Sequence, residues 1–184
     1  MKKLALTSLM ALFAVSSANA ATNYFVGGSA ALSLDDEHET LFGVAPEFGW
    51  KVNSNWDLGV MAAYEYYKDV DVEREYEVGA FARYKVAQFG GVNLLLKGTV
   101  AMEFDHYDSE TSKALYAEVK PMITYDLSES VTLYADLNFL GARAGYVWAN
   151  DKMGIEKGWG FGAGVDSDNV MNTSDFQIGF NYNF

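Results

Sequence analysis

The 184-residue chain has no cysteine, only two prolines and two histidines, and few bases: 13 Lys and Arg against 25 Asp and Glu, a formal net charge of −12. Without cysteine there is no disulfide framework, no thiol nucleophile and no Cys-ligated metal. His38 and His106 are the only imidazoles that base catalysis or a metal would have to draw on. The acid excess, with a pI near 4.4, argues against nucleic acid as a partner. After residue 20 no apolar run approaches the ~20 residues that a helix needs to cross a bilayer. Any membrane insertion must therefore use a closed barrel, which alone satisfies every strand's backbone groups in lipid. An aromatic content of 15% excludes a disordered chain.

The first twenty residues carry a different signal. Lys2 and Lys3 are followed by an apolar stretch from Leu4 to Val15 and then by small residues, with Ala18 and Ala20 spaced as A-x-A. That pattern predicts an export signal cleaved after Ala20. The stretch is too short for a membrane anchor, and no Cys stands at the cut to accept lipid. Residues 21–184 are expected to form one domain.

Those residues alternate with period two almost throughout, the mark of strands. The segments are 23–34, 40–52, 56–67, 75–86, 92–104, 113–125, one that starts at 131, and 175–184. One face of each segment is apolar and aromatic. The other gathers Glu47, Lys51, Asp57, Glu65, Glu75, Glu77, Arg83, Lys85, Lys97, Glu103, Glu118, Lys120 and Asp136. The apolar faces are too bulky to fill a small lumen, so they are assigned to lipid and the charged faces to the interior. Short turns at 53–55, 87–91 and 126–130 alternate with longer charged connections at 35–39, 68–74 and 105–112, as in transmembrane barrels. The short turns are expected at the periplasmic side. Trp50, Trp56, Tyr84, Tyr125, Tyr182 and Phe184 then form one aromatic girdle, and Phe42, Tyr64, Tyr66, Tyr76 and Phe104 the other.

Residues 141–174 are harder to phase. Unbroken alternation from Val131 turns Arg143 outward, so either Gly141 marks a bulge or the strand leaves the lipid first. Eight strands are preferred, with a long seventh and an interrupted eighth over 158–184. The alternative is ten, with a hairpin near 141–145. Pro46 and Pro121, mid-strand on the lipid face, each remove a ladder hydrogen bond and point to local bulges.

The leader, the amphipathic strands and the terminal FQIGFNYN-Phe184 segment resemble the small outer-membrane β-barrel family of OmpA/OmpX type. The resemblance spans residues 21–184. It implies an all-β, antiparallel, up-and-down transmembrane barrel in the cell outer membrane, reached by Sec export. It implies passage through periplasmic chaperones and the barrel-assembly machinery, with Phe180, Tyr182 and Phe184 as the assembly signal. No periplasmic peptidoglycan-binding domain is expected. Partners are membrane lipid and lipopolysaccharide, and the barrel is expected to be a monomer.

Eight strands leave an interior just wide enough for side chains, and buried charges must be paired. A plugging ion-pair network is therefore expected among Glu47, Asp57, Glu65, Glu77, Glu103, Glu118 and Asp136 and the bases Lys51, Arg83, Lys85, Lys97 and Lys120. Function would then reside in the outer loops, as a structural or adhesive role. The alternatives are a narrow passive pore and a lipid-A-modifying enzyme. For an enzyme, His106 with Asp105, Asp108, Ser109 and Ser112 nearby, or His38 with Ser33 and Glu39, would have to supply the machinery. No strand carries an outward His and Ser two apart, so no enzyme and no cofactor are expected. The acidic loops at 35–37 and 105–110 offer carboxylates for a divalent cation bridging to lipopolysaccharide, but without calcium-loop spacing.

Overall fold

The computed structural model describes residues 23–34, 40–67, 74–107, 110–138, 140–148, 157–164 and 176–184. Residues 1–22, 35–39, 68–73, 108–109, 139, 149–156 and 165–175 lie outside them. So do the expectations placed on Ala18 and Ala20, on His38, and on Asp108 and Ser109.

Ten strands form one antiparallel sheet: β1 (Tyr24–Leu34), β2 (Thr40–Lys51), β3 (Trp56–Tyr67), β4 (Arg74–Phe89), β5 (Val92–Tyr107), β6 (Glu110–Asp126), β7 (Val131–Leu137), β8 (Gly141–Trp148), β9 (Gly158–Gly164) and β10 (Phe176–Asn183). The sheet runs from β1 through β6 in order, continues to β7 and β10, and closes on β1. β6 serves two partners in succession. Its residues 122–126 pair with β7, its residues 113–119 pair with β8, and β8 carries β9 on its far edge. β7 and β8 thus make one wall and β9 and β10 the next, giving a closed eight-walled barrel. The ten-strand alternative is overturned: residues 141–145 are not a hairpin, because β8 runs through them in continuous register with β6.

The break between β7 and β8 has a definite size. From Asp136 to Ala142 the wall advances six residues, while β6 advances only three, from Met122 to Val119. Three residues are therefore extra, and the Leu140 amide turns back onto the Leu137 carbonyl at 3.2 Å. An odd insertion exchanges the faces, so Arg143 points inward. Pro121 stands on β6 opposite this gap, where its missing N–H costs no ladder bond. Gly141 is needed there because any side chain would run into the Val119 carbonyl, 2.7 Å from its Cβ position. Pro46 behaves differently from the expectation. The ladder is interrupted beside it, but Val44↔Tyr64 and Glu47↔Met61 keep one register, so no residue is inserted and there is no bulge.

Two other boundaries are corrected. The connection expected at 105–112 is largely strand, with Asp105↔Ser112, His106↔Thr111 and Tyr107↔Glu110 paired. Backbone pairing does not end where the charges begin, since above the lipid a charged ladder is as well hydrated as a loop. The turn expected at 87–91 shrinks to Gly90 and Gly91, with Gly90 at φ +60°, where a side chain would be strained. The matching irregularity is a register shift at Val86.

The outward face is a belt of apolar side chains. Val60, Val78, Val100 and Ile178 are more than half exposed, as lipid-facing residues of a barrel must be. Aromatic pairs rim it. Trp56 packs on Tyr84 and Tyr182 on Phe184 at the short-turn end, and Tyr64 packs on Tyr76 at the other. Tyr146, Trp148 and Trp159 extend the latter girdle on β8 and β9.

Candidate functional site in the lumen

The inward face is less polar than the sequence implies. Phe25, Phe81, Tyr116, Tyr134, Leu95 and Met122 are all buried inside the barrel. Three of the rings find room by lying across glycines of adjacent strands: Phe25 over Gly49, Phe81 over Gly59 and Tyr134 over Gly179. Each glycine lacks the Cβ that would otherwise strike the ring, an arrangement that pins register as well as filling space.

These rings form a collar round one guanidinium. Arg83 lies 4.4 Å from the Phe81 centroid, 5.2 Å from Tyr134 and 5.5 Å from Phe25. Its Nη2 donates to both oxygens of Glu47 at 2.7 and 2.6 Å. The side chains are 1% and 3% exposed. Arg83 stands directly opposite Lys97 in the β4–β5 ladder, a like-charge pairing that is destabilising unless each is neutralised. Lys97 therefore donates away from Arg83, to Asp136 on β7 at 2.7 Å. The order Glu47, Arg83, Lys97, Asp136 runs round half the lumen as acid, base, base, acid. Both pairs reach across an intervening strand, from β2 to β4 and from β5 to β7, so each bridges a sector of the inner wall.

Towards the long-connection end, Lys120 meets Glu118 at 3.0 Å. Arg143 donates to Glu103 at 2.7 Å and stacks 3.5 Å from the centroid of Tyr116. The Tyr116 hydroxyl is hydrogen-bonded to Glu77. Beyond them the lumen turns acidic: carboxylate oxygens of Glu75, Glu103 and Asp105 lie within 4.8 Å of one another, with Glu65 opposite Glu75 in the ladder. These carboxylates project from strands, whereas the sequence placed its candidate cation ligands in loops. Glu103 is already held by Arg143, so the cluster is not a free set of ligands.

At the short-turn end lie Lys51, Asp57 and Lys85. Among the described residues neither lysine enters a salt bridge, although both stand near enough to Asp57 to act on its charge. Of the twelve lumen residues named from the sequence, the structure thus joins Glu47 to Arg83, Lys97 to Asp136 and Glu118 to Lys120. It gives Glu103 a partner, Arg143, that the sequence did not assign. The collar aromatics were missed too. The only signal for them is a bulky residue facing a glycine one strand over, and that needs the register.

Among the described residues, His106 does not gather a catalytic set. It stands on the outward parity of β5, with Nδ1 3.2 Å from the Thr111 hydroxyl. Asp105 and Ser112 are paired on the inward parity, so the wall separates them from the imidazole.

No family model matches this chain, and no curated protein matches its sequence. Solved structures do match its fold. It is similar to Neisserial surface protein A (NspA), with a TM-score of 0.52 and 17% identity over 90% of this chain and 100% of that one. It is also similar to a major outer membrane protein from Thermus thermophilus, with a TM-score of 0.51 and 12% identity over 90% of this chain and 100% of that one. The N-terminal β-barrel domain of Pseudomonas aeruginosa OprF gives a TM-score of 0.48 at 15% identity, over 89% of this chain and 98% of that one. The first two matches establish the fold as a barrel of the outer-membrane type.

Proposed function

We propose that the protein is an outer-membrane barrel whose bore is sealed at the waist, and that it serves a structural or surface-interaction role through its long connections. It is not a conduit. The observation that carries this reading is the Arg83–Glu47 pair, inside its collar of three rings and backed by Lys97–Asp136. Four charged side chains, each no more than 10% exposed, stand at the level of the lumen through which a conducting path would have to run. An eight-stranded wall has little spare interior to begin with.

The polarity follows from the alternation of connections. The short turns face the periplasm, and the connections at 35–39, 68–73, 108–109 and 149–156 face outward, where binding residues tend to sit. Residues 1–20 act as the export signal cut after Ala20, and Phe180, Tyr182 and Phe184 present the assembly signal. The protein acts as a monomer, without cofactor or enzymatic activity, in contact with lipid and lipopolysaccharide. That one fold neighbour is named a surface protein is in keeping with this role.

Planar-bilayer recording tests the seal. The purified barrel is expected to give no steady unitary conductance, and Glu47→Ala with Asp136→Ala to give brief, irregular openings. Steady openings of the unaltered protein would replace this reading with the pore. A deletion strain, assayed for detergent sensitivity and for adhesion to host cells, separates the structural role from the adhesive one.

A further inference from the structure

Below the waist, the lumen widens into a cavity of about 280 Å3 that opens at the short-turn mouth. Its charges are not closed into contact pairs as those of the waist are. Lys51 lies directly opposite Asp57 in the β2–β3 ladder, and Asp57 lies opposite Arg83 in the next. Lys85 follows Arg83 on the same face of β4. Two ammonium groups thus share one carboxylate. The other acid lining the cavity, Asp126, is occupied: it accepts from the Thr132 hydroxyl at 2.7 Å and from Asn93 Nδ2 at 3.3 Å. Lys51 and Lys85 are thus matched in number by Asp57 and Asp126, and Arg83 by Glu47, but among the described residues neither ammonium group closes on an acid.

A second observation is independent of those two lysines. Arg83, 1% exposed, lines the inner end of the same cavity, and its Nε has no protein partner. An unused N–H on a buried guanidinium is a costly group to leave bare, and an oxyanion is the acceptor that suits it best. Most other lining residues are Asn, Ser and Thr, with Phe25 and Leu95 the apolar ones.

We propose that this cavity binds a small oxyanion, a phosphate or carboxylate group, taken from the periplasmic side and held between Lys51 and Lys85 with Arg83 at its inner end. The assignment of side rests on the orientation given above. The sealed waist matters only as a floor, so that the ligand leaves by the mouth it came in through. The group is either a free ion or the phosphate of a lipid headgroup at the inner rim.

Amide chemical shifts of the folded barrel in a maltoside detergent, titrated with inorganic phosphate, test the site. Saturable shifts are expected at Lys51, Asp57 and Lys85 and not at Val100 in the outer wall. Sodium chloride at equal ionic strength should not reproduce them. The double variant Lys51→Gln with Lys85→Gln should weaken phosphate binding about fivefold, the loss of roughly two exposed ion pairs, with heat-modifiable gel migration unchanged. Bicelles doped with phosphatidylglycerol form the second arm. The same shifts without added phosphate identify a headgroup as the source, and their absence identifies the soluble ion. Shifts that never saturate, that chloride reproduces, or that the double variant leaves untouched overturn the proposal. Conductance is a separate readout, so a leaking barrel would refute the seal and leave this titration interpretable.

Discussion

The waist and the short-turn mouth of the lumen use the same residue types to opposite effect. At the waist, Arg83 and Lys97 each have a carboxylate within 2.7 Å and almost no exposure. At the mouth, Lys51 and Lys85 share Asp57 without closing on it. The difference is the local medium. A charge held among Phe25, Phe81 and Tyr134 cannot be hydrated and must be paired, whereas a charge in an open cavity keeps water and needs no partner. In the proposed reading the paired charges make the plug, and the unclosed ones a surface for a ligand.

Substitutions at the two levels should therefore differ greatly in effect. The largest is expected for Glu47→Ala, which strands a fully buried guanidinium. Breaking a buried pair from one side costs about 3–5 kcal/mol, read as a lower urea midpoint for unfolding from lipid vesicles. Glu47→Gln with Arg83→Met removes both charges and should recover most of that loss. A double variant as unstable as the single one would mean that the rings, and not the pair, hold the waist.

Next in size is the bulge between β7 and β8. Deleting Leu140 leaves an even insertion and turns Arg143 outward. The residue stands opposite Glu118, which is opposite Thr99 near the middle of β5, so the guanidinium would face mid-bilayer at about 2–4 kcal/mol. Failure of folding into vesicles is expected, with partial rescue by adding Arg143→Leu. Rescue would show that the charge, and not the lost residue, is at fault.

The smallest effect belongs to the mouth. Lys85→Ala should shift stability by less than about 1 kcal/mol in the same vesicle assay. A loss as large as that of Glu47→Ala would erase the distinction between the two levels.

The same contrast explains how much the sequence disclosed. Which face of each strand meets lipid was legible because alternation is a local property: Val100 exposed and Thr99 buried follow from parity alone. Which acid meets which base was not. Glu47 and Arg83 come together across an intervening strand, and that depends on register. The aromatic collar was hidden for the same reason, since Phe81 on a polar face looks like an exception until Gly59 is found beside it. Gly141 did flag the trouble in the seventh wall. The size of the insertion, and with it the direction of Arg143, is set by pairing with β6 beyond Pro121, which local alternation does not register.

The absence of cysteine makes the central claim open to direct measurement. Single substitutions Val100→Cys, Val60→Cys and Val78→Cys, spin-labelled in the vesicle-bound barrel, report whether oxygen from the lipid or a water-soluble nickel chelate relaxes the probe. High oxygen and negligible nickel accessibility at all three positions is the predicted result. Nickel reaching them as freely as it reaches a label at Ser54→Cys in the short turn would put water where this account puts lipid.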